Sequence, residues 1–296
     1  MRVSSMLERS QAADVLRARA PGPVKVIAVC SGKGGVGKTN IAANIAVALS
    51  MADHDVMLLD ADVSLANVDV LLGLQPTFNL AHVVSGDVDL DSTVVDGPAG
   101  LRIVPASSGN YAMTDLPAAS QATIIQAFGD LPKQPDILIV DTAAGITPNV
   151  ARFVQAAQEA VIVVCNEPAS ITDAYALIKV FSRNYGVSHY QVVTNQTRDA
   201  RDGRELFSKI RRVSDLYLDV VLRHLGSVPL DTYLRRAVQE QRAVVDASPK
   251  RAAGQAFVQI ARKLESLPHP NRASGNIQFF LRRLLNAHTP YIGGAA

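Results

Sequence analysis

Eight consecutive residues, Gly32-Lys33-Gly34-Gly35-Val36-Gly37-Lys38-Thr39, carry the strongest chemical signal in the chain. They fit the spacing G-x-x-x-x-G-K-[ST]. In that pattern, glycines leave no Cβ between a phosphate and the backbone, and successive N–H groups at a helix N-terminus face the anion with partial positive charge. Lys38 is placed to reach the β- and γ-phosphates and the Thr39 hydroxyl to ligate Mg²⁺, with Asn40 next in the same helix start. Carboxylates recur at the ends of apolar runs. Asp60-Ala61-Asp62 follows Val56-Met57-Leu58-Leu59, and Asp141 follows Ile137-Leu138-Ile139-Val140. Carboxylates beside a triphosphate repel it unless a cation intervenes, so Asp141 reads as a Walker B residue that holds Mg²⁺ through water. Gly145, in Thr142-Ala143-Ala144-Gly145, would let the backbone approach the γ-phosphate.

The elements around these residues alternate. Buried-strand patterns cover 24–30, 55–60, 101–105, 136–141, 160–165, 190–195 and 222–230. Helical patterns cover 40–51, a short stretch in 71–86, then 120–131, 171–184 (with Asp173 in its first turn) and 249–267. The expectation is a doubly wound α/β fold with a mostly parallel sheet of seven to eight strands flanked by helices, its ligands at the strand carboxyl ends. The 296 residues are ordinary for one such domain, and 48% hydrophobic residues exclude a disordered chain. A net charge of +2 gives no global attraction to nucleic acid, so direct DNA binding is not expected. Cys30 and Cys165 each end an apolar run and read as core thiols of a reducing compartment. No apolar stretch follows the first charges, so no signal peptide is expected, and the six histidines lack metal-ligand spacing.

Two stretches lie outside this pattern of phosphate and metal chemistry. Residues 198–212 carry Arg198, Arg201, Arg204, Lys209, Arg211 and Arg212 against Asp199, Asp202 and Glu205, which reads as a solvated helix face or a docking surface. After a Pro/Gly/Asn-containing linker at 268–276, Ile277, Phe280, Leu281, Leu284 and Leu285 fall on one helical stripe, with Phe279, Arg282, Arg283 and Asn286 on the other side. A helix with that division suits a membrane interface.

The loop GKGGVGKT resembles the deviant Walker A loop of MinD/ParA ATPases. The resemblance implies ATP and Mg²⁺ as cofactors and a homodimer with ATP at its interface, in which Lys33 reaches the partner's nucleotide. It implies that Asp62 positions or activates the attacking water, that Asp60 supports the metal shell beside Thr39 and Asp141, and that Leu65-Ala66-Asn67-Val68-Asp69 is switch I. Glu167 would lie near the dimer interface, Asn195 would hydrogen-bond adenine, and Pro229-Leu230-Asp231 would close over the base. The family's D-T-P-A-G switch II has Ala143 in place of proline here, which frees a torsion angle and adds an N–H. Ser10-Gln11-Ala12-Ala13-Asp14-Val15-Leu16-Arg17 resembles the D-Q-A-x-x-L-R motif of FlhG/FleN regulators of flagellar number. That similarity implies an FlhF-type signal-recognition GTPase and a FleQ-like flagellar transcriptional activator as partners. It also implies cytoplasmic protein that joins the inner membrane through 277–288 in the ATP state. The expected organisation is a partner-activating segment at 1–23, the ATPase domain at 24–267, the linker, and the amphipathic helix and tail at 277–296. The rivals are a MinD-type division-site selector, which the N-terminal extension argues against, and a ParA-type partition ATPase, which near-neutral charge disfavours. A metallocluster reductase would need cysteines able to meet around a cluster, and the two present are poorly placed.

Overall fold

The apolar runs become strands because their side chains can be buried on both sheet faces. In β1 (Lys25–Cys30), Val26, Ala28 and Cys30 enter one core while Ile27 and Val29 enter the other. Such double-sided burial is the habit of a parallel sheet covered by helices on both sides. The computed structural model describes residues 23–62, 67–106, 117–268 and 278–280. The remaining strands are β2 (Val56–Ala61), β3 (Val95–Asp96), β4 (Arg102–Val104), β5 (Ile137–Thr142), β6 (Glu159–Cys165), β7 (His189–Thr197) and β8 (Val221–Pro229). They form one eight-stranded sheet in the order β3-β4-β2-β5-β1-β6-β7-β8. Only the β3–β4 pairing is antiparallel. The expectation of seven to eight mostly parallel strands is met.

Helices α1 (Lys38–Ser50), α2 (Val68–Leu72), α3 (Leu80–Ser85), α4 (Ala118–Ala127), α5 (Pro148–Ala156) and α6 (Pro168–Tyr185) come first. The later ones are α7 (Ala200–Tyr217), α8 (Thr232–Gln239), α9 (Val244–Ala247) and α10 (Ala252–Ser266). One face of the sheet packs on α4 to α7 through Ile124, Phe128, Phe153, Leu177, Phe181, Leu206 and Ile210. The other packs on α1 and α10 through Ile41, Ile45, Leu49, Phe257, Ile260 and Leu264. The stretch expected as one short helix in 71–86 is two, α2 and α3, because Gly73 takes a left-handed φ of 66° and ends the first. Helices α5, α8 and α9 and strand β3 are additions to the expected elements.

Lys25 closes the sheet against α10. Its buried ammonium donates to the carbonyls of Leu264, Glu265 and Leu267 at 3.0, 2.9 and 2.6 Å, satisfying the C-terminal carbonyls of the helix. Burial lowers its pKa.

The tail departs from expectation. Residues 278–280 form a turn, with Phe280 at φ 54°, and not the first turn of a helix. Phe279, which a helical stripe would turn away from Phe280, is buried with it. Its ring meets Phe128 edge-on at 5.2 Å and stacks on Phe153 at 6.4 Å. Aromatic pairing with the α4–α5 layer outweighs the helical period over these three residues. The segments 1–22, 63–66, 107–116, 269–277 and 281–296 lie outside the described residues. With them lie the expected N-terminal motif, Leu65 and Ala66 of the expected switch I, nearly all of the linker and the rest of the amphipathic stripe.

Candidate nucleotide site

The site forms at the carboxyl ends of β1, β2, β5, β6 and β7, beside the central β1, where the chain order turns from one side of the sheet to the other. The Gly-rich loop runs from Ser31 into α1. A Cβ on Gly32 would come within 2.3 Å of the Asp173 backbone, so α6 fits against the loop only over a glycine. Gly37 has φ 87°, and a Cβ there would meet Asn195 Nδ2 at 2.5 Å. The loop is tied down on both sides. Gly145 N donates to Ser31 O at 2.8 Å, and Asn195 Nδ2 donates to Val36 O at 2.8 Å. The turn after β5, through Gly145, and the end of β7, through Asn195, therefore both hold the loop's backbone.

Lys38 is buried and its ammonium meets Asp141 Oδ1 at 2.7 Å. The strand register places Asp60 opposite Asp141 on adjacent β2 and β5. Both carboxylates are buried beside that one lysine. Burial, then the charge of Asp141, pushes Asp60 up to about 7, against the backbone N–H bonds it accepts from Asp62 and Val68. Asn67 N also donates to it, at 3.1 Å, so Asp60 fastens the start of α2. Burial likewise raises Asp141, with Lys38 pulling the other way. Asp141 Oδ2 is buried without a hydrogen-bond partner. Thr39 adjoins the same carboxylate. Two buried carboxylates, an unsatisfied carboxylate oxygen and a hydroxyl form a hard, oxygen-only donor set that fits Mg²⁺. Asp62 follows at the mouth of the site, partly exposed.

Lys33 takes another direction. Its ammonium bonds Glu167 Oε2 at 2.8 Å, and both side chains are well exposed. The hydrogen bond to Glu167, then its charge, holds the Lys33 pKa above the usual range. The geometry thus separates the two lysines, one buried on the Walker B carboxylate and one at the surface on the loop after β6.

A cleft of about 390 Å³ opens beside the loop. It is lined by Gly37, Asn40 and Asn195, by Pro229, Leu230 and Asp231, and by Gln196, Leu234, Arg235, Val238 and Gln239. Asn195, which lines the cleft, also holds a buried Oδ1 without a hydrogen-bond partner, and the cleft is of suitable size for a base. The carboxylate of Asp231 is already committed. One oxygen caps α8 at Tyr233 N (2.8 Å) and the other takes Ala253 N of α10 (3.0 Å), so Asp231 shapes the pocket wall through its fold role. Sequence reasoning missed the α8 residues and Gln196, whose left-handed φ of 56° lies at the register shift of β7 between Asn195 and Thr197. The only local sign was the amphipathic pattern after Asp231.

The chain matches the CobQ/CobB/MinD/ParA nucleotide binding domain over residues 27–244. It is 50% identical over 263 residues to the antiactivator FleN of Pseudomonas aeruginosa, covering 89% of this chain and 94% of that protein. It is 33% identical over 249 residues to the flagellum site-determining protein YlxH of Helicobacter pylori, covering 83% of each. The cell division ATPase MinD of Pyrococcus furiosus shares the fold with a TM-score of 0.70 at 23% identity, over 83% of this chain and 100% of that one. With the Gly-rich loop, the paired strand-end carboxylates and the adjoining base-sized cleft in one place, the chain belongs to the CobQ/CobB/MinD/ParA nucleotide-binding family and is an ATPase of the MinD-like kind.

Proposed function

We propose that this ATPase is a nucleotide-dependent switch that pairs with a second copy around ATP and restrains flagellar number. The observation that carries the flagellar reading is the 50% identity to an antiactivator over nearly the whole length of both chains. In this reading Lys38 leaves Asp141 for the β- and γ-phosphates, and Thr39, Asp141 and, behind them, Asp60 hold Mg²⁺. Bound there, Mg²⁺ neutralises charge on the phosphate oxygens. Asp62 orients the attacking water. Asn195 and the walls at Gln196, Pro229 and Leu230 receive adenine. Lys33 gives up Glu167 for the phosphates of the second copy.

An antiactivator acts on an activator, so a FleQ-like transcriptional regulator is the expected target, with an FlhF-type GTPase engaged by 1–23. The burial of Phe279 and Phe280 supports a reading in which these two residues are held on the domain until ATP-driven pairing releases the 277–288 segment toward the inner membrane. Calorimetry and turnover on two variants test the switch. Lys38→Ala is expected to abolish ATP binding. Asp62→Ala is expected to keep ATP affinity, stop hydrolysis and trap the pair. Capture of an activator or GTPase by the Asp62→Ala protein with ATP, and not by Lys38→Ala, supports the flagellar role. Unchanged ATP affinity in Lys38→Ala would overturn it at its base.

A further inference from the structure

We propose that Asp202 is a positioning residue for Lys33: it fixes the turn that carries Glu167, and so sets how firmly the chain holds Lys33 before a second copy arrives. The proposal rests on the reading that Lys33 serves the paired state. Asp202 lies in the first turn of α7 and is 6% exposed. It is not the cap of that helix. Asp199 is, accepting from Arg201 N and Asp202 N at 2.8 Å each. The Asp202 carboxylate is turned to the loops instead. Oδ1 accepts from Asn166 Nδ2 at 2.9 Å and from the Arg198 guanidinium at 3.3 Å. Oδ2 accepts from Arg198 N at 3.0 Å. One side chain therefore joins the loop after β6, which carries Asn166 and Glu167, to the loop after β7, which carries Arg198 and Asp199 and follows the cleft residues Asn195 and Gln196.

The physical reason this matters is the exposure of the Lys33–Glu167 pair, 40% and 56% for the two side chains. An exposed ion pair gains little, and ordering two long side chains offsets much of the gain. Its occupancy then depends on how far the backbone under Glu167 is already fixed. Within the turn, Cys165 N donates to Ser170 Oγ at 3.0 Å and Glu167 N to Cys165 O at 2.8 Å; Ile171 N of α6 donates to Glu167 O at 3.0 Å, and Cys165 Sγ reaches Val36 O of the Gly-rich loop at 3.5 Å. The Asn166–Asp202 bond ties it to α7. Loosening that bond lets Glu167 wander and frees Lys33 earlier.

The test is ATP turnover as a function of protein concentration, whose half-maximal concentration reports pairing. Each exposed pair is worth a factor of about two, and two copies give about four. Glu167→Gln is expected to lower the half-maximal concentration about fourfold, and Asn166→Ala about twofold in the same direction. The double variant is expected to match Glu167→Gln alone, because both changes act on one contact. Asp202→Ala should behave as Asn166→Ala does; if it melts early by circular dichroism, Asn166→Ala decides. A general loss of stability would not reproduce that non-additivity. An Asn166→Ala shift that adds in full to Glu167→Gln, or no shift where Glu167→Gln gives one, overturns the role of Asp202 alone. No shift in Glu167→Gln removes the held state itself and the proposal with it. Lys33→Ala in the same assay then shows whether the lysine serves pairing at all.

Discussion

The buried triad of Lys38, Asp60 and Asp141 makes a quantitative prediction about the nucleotide-free protein. Lys38 stands 2.7 Å from Asp141, the two being 7% and 1% exposed. Removing one partner of a buried pair leaves an uncompensated charge and costs about 3–5 kcal/mol. Here the two removals differ, because Asp60 is a second buried carboxylate in register with Asp141. Lys38→Met leaves two facing carboxylates without their cation and should sit at the upper end, about 4–5 kcal/mol. Asp141→Asn keeps the shape, relieves the repulsion on Asp60 and leaves Lys38 a charge to face, so its cost should be about 1–3 kcal/mol. The double variant Lys38→Met with Asp141→Asn retains one carboxylate, which accepts backbone N–H groups from Asp62, Asn67 and Val68. It should be more stable than Lys38→Met alone by about 1–3 kcal/mol. Urea unfolding followed by circular dichroism, with chelator present and nucleotide absent, measures all four proteins. A Lys38→Met protein as stable as the parent, or a double variant less stable than Lys38→Met, would refute the electrostatic account of the site.

Three other outcomes follow from the packing. Lys25→Met removes three charge-assisted bonds to the end of α10 and should cost about 2–3 kcal/mol in urea midpoint analysis, without a change in ATP affinity. His224 stacks on Phe207 at 5.0 Å and bonds Thr194 and Ser227, facing the charges of Lys263 and Arg204; burial, then Lys263, lowers its pKa. The unfolded chain then binds this proton at higher pH than the folded one, so the contribution is present above about 6.5 and is lost as pH falls below it. His224→Gln should therefore narrow the difference in urea midpoint between pH 7.5 and 5.5, and an unchanged difference would exclude the assignment. Phe280→Glu places a charge where Phe128 and the tail pack, and should abolish ATP-dependent co-sedimentation with anionic vesicles while pairing persists; equal sedimentation in ADP and ATP would separate the tail from the switch.

What the sequence determined by itself was local. Gly32 to Thr39 identify a phosphate loop because consecutive backbone N–H groups make that site, and no distant residue is needed to see it. Asp60 and Asp141 were legible as strand-end carboxylates because the apolar run and its terminal charge are contiguous. The doubly wound α/β fold with seven to eight mostly parallel strands followed from the alternation of such runs with helical patterns. The tertiary structure decided everything that depends on register and neighbours. It paired Lys38 with Asp141 and faced Asp141 with Asp60, a consequence of β2 lying beside β5. It brought Gln196, Leu234 and Arg235 to the base cleft, and it spent the Asp231 carboxylate on two helix starts. It turned Asp202 from one charge on a solvated helix into a tie to Asn166, 36 positions away in the chain. It also drew Phe279 inward against its helical period. Periodicity describes what one segment prefers alone, whereas burial and hydrogen bonding are settled between segments, and no spacing within a segment encodes which neighbour it will meet.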